Sequence, residues 1–435
     1  MIAQIGSGLK VEKSSHHLTS FAGLPLLTEL AHRTGIVERL ESLPGLWKRK
    51  REMSSADYIL GLALTLIAGG EGLDDIRMLR ADAGLRQLSL PGLPAANSLG
   101  RFLKRFTHRS LHRLGEIVTS AALLSADLSK TLTLDLDASL IESDKKDAKK
   151  TYKGFDGYNP VLAWLAEADV FLGGVFREGN ASPQCNLVSL LKYCHRRLPS
   201  GSRFRLRSDS AGYRLDLIEY CHRRGIEFAI GADLDCAVRE AIDKIPEKHW
   251  RLVVRGEDTF LLAETIHVPG AHHVAKQLPA FRLIVTRRLR TQLELFKDPI
   301  VYRAILTSLP ASLDTVEALD FYNGRGAMEK AIGELKNGYG AHWLPCGQLA
   351  ANAAFFQTTL LAYNLLQAFK RVALPPGWSK FCVKNLRFRL LCQAAVVVRH
   401  ARYLAVKLSK DFPFFDLFEQ ARWSILSPPL AKAAI

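Results

Sequence analysis

Tyr322, Arg325, Glu329 and Lys336 lie within the stretch Asp320–Gly338, at offsets of three, four and seven residues from Tyr322 onward. On a helix turning about 100° per residue, those offsets gather a phenol, a guanidinium, a carboxylate and an ammonium within an arc of roughly 60°. Met328, Ala331, Ile332 and Leu335 share the other side, which is the apolar stripe of a helix packed on a core. Gly338 is placed to cap its C-terminus. A carboxylate flanked by cations suits phosphodiester chemistry: the carboxylate helps to hold a metal, and the cations hold phosphate oxygens. A solvated amphipathic helix carrying an Arg/Glu pair has the same pattern, so the rest of the chain must decide between them.

Two further carboxylates bear on that choice. From Thr131 the apolar period becomes two. Leu132, Leu134 and Leu136 take one face of a strand, and Thr133, Asp135 and Asp137 take the other. Carboxylates are unfavourable inside a strand, so two on one face invite a functional explanation. Strand-like runs follow at Val161–Ala166 and Val170–Phe176, then a helix from Leu187 to Arg197. Arg203–Asp209 alternates again and ends on an aspartate, a helix spans Tyr213–Arg224, and Glu227–Gly231 is a fifth strand. In this order the first strand is central and the fourth lies beside it, which makes Asp137 and Asp209 neighbours. Three hard oxygen donors, Asp137, Asp209 and Glu329, favour Mg²⁺ or Mn²⁺ over zinc. Two such ions held by carboxylates can drive an in-line phosphoryl displacement, with Arg325, Lys336 and Tyr322 holding the phosphates.

The remaining elements must position these groups. The 435-residue chain is long enough for several domains and a large core. Its net charge of +16 favours a polyanionic partner such as nucleic acid. The basic residues are spread along the whole chain rather than gathered in one amphipathic anchor, which argues against a membrane surface. The longest apolar run, Ile59–Ala68, is too short to span a bilayer, and the N-terminus lacks a signal-peptide core. Seven cysteines without a C-x-x-C pair read as reduced cytoplasmic thiols. Cys194-His195 and Cys221-His222 sit in helical patterns whose adjacent positions diverge, so a zinc site is not expected.

Residues 1–127 read as an all-helical, DNA-binding region. Ala22–Leu43 suggests two short helices joined at Gly35, after the manner of a helix-turn-helix, and Ser54 to Gly70 delimits another helix. A helix opening at Asn97-Ser98 carries Arg101, Arg105, Arg109 and Arg113 every fourth residue, with Lys104 beside them and no carboxylate from Ala95 to Gly115. Such a stripe suits phosphate contact. Residues 128–245 form the first part of an α/β core, with a basic loop at Lys145, Lys146, Lys149, Lys150 and Lys153. Residues 246–312 are a β-rich insertion, and 313–372 return to the core with the glutamate helix. Residues 373–435 read as a basic helical region for dimerisation or DNA contact.

The chain resembles bacterial insertion-sequence transposases of the Asp-Asp-Glu class, most nearly the insertion sequence 1380 family. The likeness rests on the ungapped Tyr-x(2)-Arg-x(3)-Glu-x(6)-Lys signature from Tyr322 to Lys336. Leu134-Asp-Leu-Asp137-Ala-Ser139 and Arg207-Ser-Asp209-Ser-Ala-Gly-Tyr213 support it, as does Lys153–Pro160. It runs from the helical N-terminal region to about residue 372. The resemblance implies an α/β, ribonuclease-H-like core with a β-rich insertion. It implies two Mg²⁺ ions, replaceable by Mn²⁺, on Asp137, Asp209 and Glu329. It further implies a homodimer on double-stranded DNA that binds terminal inverted repeats, cleaves the element ends and joins them to target DNA, in the bacterial cytoplasm at the nucleoid. Asp137 is preferred to Asp135 because Ser139 stands where relatives tend to have threonine. Asp135 and Glu334 are nearby carboxylates outside this set. Some relatives flip a base onto a tryptophan, for which Trp250 is placed by location, although a core role fits it as well. A transposase-derived regulator without catalysis, or a nuclease that cuts and never joins, are the alternatives.

Overall fold

The computed structural model describes residues 13–47, 52–88, 92–199, 201–271, 278–289 and 299–427. Seven helices open the chain: α1 (Leu24–Arg33), α2 (Ile36–Glu41), α3 (Ser55–Ala68), α4 (Ile76–Ala81), α5 (Ala83–Gln87), α6 (Ala96–Leu103) and α7 (His108–Leu123). Ser54 and Asp57 form a reciprocal capping box that starts α3, and the helix is apolar on every side because it is buried on nearly every side. Gly35, at φ 75°, joins α1 to α2 as expected. However, α2 is only six residues long and buries Ile36, Val37 and Leu40, while Arg39 donates to Ser120 of α7 at 2.8 Å. The pair is therefore a packing unit and not a helix-turn-helix reading head.

The expected basic helix from Asn97 to Arg113 is in fact two helices. Thr107 and Ser110 form a second capping box, so the chain restarts at α7. Arg105 falls in the connection, where it donates to the Leu46 carbonyl and lies over the Trp47 ring at 4.8 Å. Arg113 pairs with Glu116 at 2.7 Å. Arg101, Lys104 and Arg109 remain exposed, but no single stripe connects them.

One sheet of nine strands organises the rest: β1 (Leu132–Ala138), β2 (Val161–Leu165), β3 (Val170–Val175), β4 (Phe204–Ser208), β5 (Glu227–Ala232), β6 (Arg251–Arg255), β7 (Asp258–His267), β8 (Phe281–Leu289) and β9 (Ile300–Thr307). The strand order is β6-β7-β8-β9-β5-β4-β1-β2-β3. β1 is central among the first five strands, antiparallel to β2 and parallel to β4. The four strands of the expected insertion do not build a sheet of their own. β9 pairs antiparallel with β5, so they lengthen the same sheet.

Leu132, Leu134 and Leu136 pack under the sheet with Leu190 and Leu191 of α8 (Leu187–Arg197), Leu217 and Ile218 of α9 (Leu215–Arg223), and Val238 of α10 (Cys236–Asp243). Cys194 and Cys221 fill the same core. The opposite face meets α11 (Thr315–Asn323), α12 (Gly326–Gly338) and α13 (Leu349–Ala373). α13 is buried almost throughout, because the N-terminal helices cover the side that the sheet does not. Its Asn364 both accepts from and donates to the Phe171 backbone of edge strand β3, at 2.9 and 2.8 Å. Among the described residues no helix is long and apolar enough to cross a membrane.

The C-terminal region is not wholly helical. After α14 (Val383–Leu386), Ala395–Arg399 and Leu404–Leu408 form a hairpin, and helix α15 (Phe415–Leu426) follows. The hairpin takes Leu18–Thr19 as a third strand, so the N-terminal region is not all helix either. Arg387 is not available as a surface cation: it donates to the carbonyls of Ile67, Leu66 and Gly338.

Arg207 of β4 sets the position of α11. It donates to both carboxylate oxygens of the fully buried Asp135, at 2.6 and 2.8 Å, and to the Phe321 carbonyl at 2.8 Å. A side chain at Gly324 would collide with this guanidinium, so the close approach requires glycine. Asp135→Ala would leave the Arg207 charge buried without its partner. It is expected to destabilise the protein by about 3–5 kcal/mol in urea unfolding, and a loss below about 1 kcal/mol would deny the pair its organising role.

Candidate active site

The parallel register between β1 and β4 pairs Leu136 with Ser208. The next residues, Asp137 and Asp209, therefore emerge side by side. Asp137 Oδ1 accepts from the Ala138 amide at 2.8 Å. Asp209 opens the turn Ser210–Gly212 and accepts from the Ala211 amide at 3.2 Å. Burial, reinforced by the neighbouring Asp209 charge, pushes the Asp137 carboxyl up to about 6 against the pull of Arg325. Burial also raises Asp209, again opposed by Arg325.

The four signature residues do not share one helix. The chain breaks at Gly324, where Arg207 presses against it, leaving Tyr322 at the end of α11 and Arg325 at the N-cap of α12. The break is tight, with Arg325 N–H donating to the Tyr322 carbonyl, and the side chains still converge. Arg325 donates to Asp137 Oδ2 at 2.9 Å and to Glu329 Oε1 at 3.0 Å, one turn along. Tyr322 is largely buried beside it, and burial raises its hydroxyl pKa. Met328, Ala331, Ile332 and Leu335 form the buried face of α12, as expected. Gly338 is the last helical residue rather than the cap, and the left-handed turn falls at Gly340, φ 70°.

Lys336 points to the segment that follows Asp137, donating to the Leu140 carbonyl at 2.7 Å. Burial lowers its pKa, and the nearby Lys153 lowers it further. The two nearby carboxylates have structural partners. Asp135 holds Arg207, and Glu334 accepts from the Val383 amide at 2.7 Å.

A cavity of about 660 Å³ opens over Tyr322, Arg325 and Glu329. Its lining also takes in Arg255, Arg288 and Arg303 of β6, β8 and β9, with Arg255 paired to Asp320 and Arg288 to Asp258 at 2.6 Å. The sequence reading missed these arginines. Their signal was a cation alternating with apolar residues in the strands, which is also the pattern of a solvated edge. Trp250 does not line the cavity: its ring packs near Tyr302, under Arg287 at 4.4 Å.

Among the described residues, no three His, Cys, Asp or Glu side chains stand close enough together to hold a metal ion. Glu329 is the outlying member, with its side chain 59% exposed and turned to Arg325. The donor chemistry nevertheless suits a hard divalent cation: two partly buried aspartates, one of them raised by the charge of the other, gain from a cation between them, and Glu329 adjoins on an exposed helix turn.

The Asp137 pKa predicts how stability depends on pH in the metal-free protein. Between about 4 and about 6, the folded protein holds a proton that the unfolded chain has released, so stability falls as pH rises through that window. Asp137→Asn removes this penalty. It is expected to stabilise the protein by on the order of 1–2 kcal/mol at about pH 8 and to change little at about pH 4, as read by urea unfolding at both. A variant less stable than wild type at the higher pH would show that the attraction of Arg325 outweighs burial.

Comparison with known proteins gives one extensive family match. The model of the transposase DDE domain, group 1, matches residues 4–427. No curated protein matches the chain. Among solved structures, the piggyBac transposase synaptic complex with hairpin DNA is similar at 13% identity and a TM-score of 0.44, over 86% of this chain and 82% of that one. The family match spans both aspartate-bearing strands and the glutamate helix, and the chain belongs to the DDE transposase domain family, group 1.

Proposed function

We propose that this transposase is an active, metal-dependent DNA recombinase that binds the terminal inverted repeats of its own element, cleaves the ends and joins them to target DNA. The observation that carries this reading is Arg325 linking Asp137 to Glu329 beside Asp209, beneath a cavity walled by arginines. The strand order, with β1 central and β4 parallel beside it, supports a ribonuclease-H-like core. The signature resembles that of the insertion sequence 1380 family.

Asp137, Asp209 and Glu329 would hold divalent cations, Mg²⁺ or Mn²⁺. Such ions would supply activation of an attacking oxygen and stabilisation of a leaving one at phosphorus. The residues of this chain supply the rest. Glu329 reaches the aspartates by turning away from Arg325, which frees the guanidinium for a phosphate oxygen. Arg255, Arg288 and Arg303 hold the backbone across the cavity, where positioning and charge stabilisation do most of the catalytic work. Tyr322 offers a hydroxyl at the cavity floor. Lys336 fixes the segment after Asp137 through Leu140 and retains donors for phosphate. Arg101, Lys104 and Arg109 contribute phosphate contacts from the N-terminal helices, and a homodimer would place two such sites on paired ends. Trp250, packed under Arg287, takes no base-flipping role in this reading.

The decisive experiment carries the gene with its native flanking DNA in cells and sequences the donor junction. Excision is expected from wild type and lost with Asp137→Ala. Excision by neither would favour the DNA-binding regulator, and cleaved ends without joined products would favour a nuclease. Purified Glu329→Gln should bind end DNA as wild type does yet fail to cleave it in Mg²⁺, so cleavage by this variant would remove Glu329 from the site. Replacing Arg101 and Arg109 with glutamine should reduce the log–log salt slope of DNA binding by about two. An unchanged slope would return both residues to the solvated surface.

A further inference from the structure

From Lys336 to Lys410 the sequence contains no aspartate or glutamate. Four cations of this stretch, Arg399, Arg402, Lys407 and Lys410, lie on or beside the hairpin of Ala395–Arg399 and Leu404–Leu408, and all four are exposed. Among the described residues none of the four has an ion-pair partner. Other exposed arginines do: Arg77 pairs with Asp74 at 2.8 Å, and Arg422 with Glu29 at 3.1 Å.

The hairpin is held at its base and free at its tip. Leu18 and Thr19 pair with Val396 and Ala395, and the Val397 amide donates to the His17 carbonyl at 2.9 Å. Ala395 and Val397 are buried. The Ser20 amide donates to the Asp82 carboxylate at 2.9 Å, which ties this third strand to the start of α5. At the other end the His400 amide donates to the Tyr403 carbonyl at 2.9 Å, closing a tight turn over Ala401 and Arg402. The His400 and Tyr403 rings stack with centroids 4.6 Å apart, although Tyr403 is 62% exposed. The pair stiffens the turn without burying it. At a rise of about 3.3 Å per residue, the strands carry Arg402 roughly 15 Å from the base.

A phosphate grip needs no such projection, since cations on a flat surface reach the backbone as well. Base edges lie at the floor of a groove, and a two-stranded ribbon is narrow enough to enter one. Arginine at the apex is the side chain suited to a bidentate contact with guanine. The ribbon carries no carboxylate of its own to repel the phosphates on either side. The helices α1 and α2 offer no comparable projection, because they pack into the core and Arg39 is held by Ser120.

We infer that this hairpin, through Arg399 and Arg402 on a turn held by His400 and Tyr403, reads base edges in a groove of duplex DNA and so sets which DNA ends the protein recognises. This rests on the DNA-transposase reading above and adds to it the element that tells one end sequence from another. The test measures binding, at one salt concentration, to labelled duplex from the native DNA flanking the gene and to a shuffled duplex of equal length and composition. Wild type is expected to prefer the native sequence. Arg402→Ala should lose that preference by roughly tenfold while binding the shuffled duplex nearly as wild type does. Arg402→Lys keeps the charge but not the fork, and should lose most of the preference too. The position is exposed, so both variants are expected to unfold in urea as wild type does.

If Arg402→Ala keeps the full preference, or weakens binding to both duplexes equally, the hairpin is not a base reader. The inference is then overturned and the transposase reading stands. If wild type itself does not distinguish the native sequence from the shuffled one, recognition of the ends and the inference fall together.

Discussion

The buried Asp135–Arg207 pair is the interaction on which the geometry of the site depends. Strand alternation puts Asp135 on the same face as Asp137, so one strand supplies both a structural anchor and a candidate metal-holding carboxylate. Arg207 reads both oxygens of the anchor and uses its remaining donor on the last turn of α11. That contact explains the chain break at Gly324, the offset between α11 and α12, and the approach of Tyr322 and Arg325 to the strand ends. An apolar pair could fill the same volume, but it would not fix the helix end through a carbonyl. The gain from such a buried pair lies in placement more than in stability.

Much of the catalytic layer could be read directly from the residues, because its signals are local. The period-two run through Leu136, the capping box at Ser54 and the apolar stripe of α12 each depend on near neighbours in sequence. Asp137 and Asp209 followed from strand order, and the observed parallel register places them together. The failures share a cause of the opposite kind. The single Tyr–Arg–Glu–Lys helix is interrupted because Arg207, more than a hundred residues away, presses on Gly324. The basic helix through Arg105 is interrupted because Thr107 has a local capping partner in Ser110, a signal present in the sequence but outweighed by the regular arginine spacing. The β-branched run Val396–Val398 falls in the region expected to be helical, yet it pairs with the nearby Leu404–Leu408 as well as with the distant Leu18–Thr19. The arginines of the cavity wall were hidden by the ambiguity of alternating charge.

Electrostatics sets the division of labour among the carboxylates. Partial burial raises the pKa of both Asp137 and Asp209, and the Asp209 charge adds to the rise at Asp137, whereas Glu329 projects into the open cavity and is tied to Arg325. The aspartates thus keep a demand for positive charge that Arg325 meets in part, and Glu329 adjoins them from the exposed side. Arg325 serves both sides because it donates through separate nitrogens.

The long helix α13 lies in one hydrophobic core that takes in both the N-terminal helices and the sheet face of Leu162, Trp164 and Phe171. The N-terminal helices wrap one flank, while edge strand β3 reaches the other through Asn364. The core beneath the other face of the sheet is built without it. Asn364 ties the two layers directly, donating to the Val118 carbonyl of α7 at 3.1 Å as well as to that of Phe171. A change aimed at either layer through that helix would accordingly be felt in the other, so the helical cover and the carboxylate-bearing sheet cannot be altered independently there.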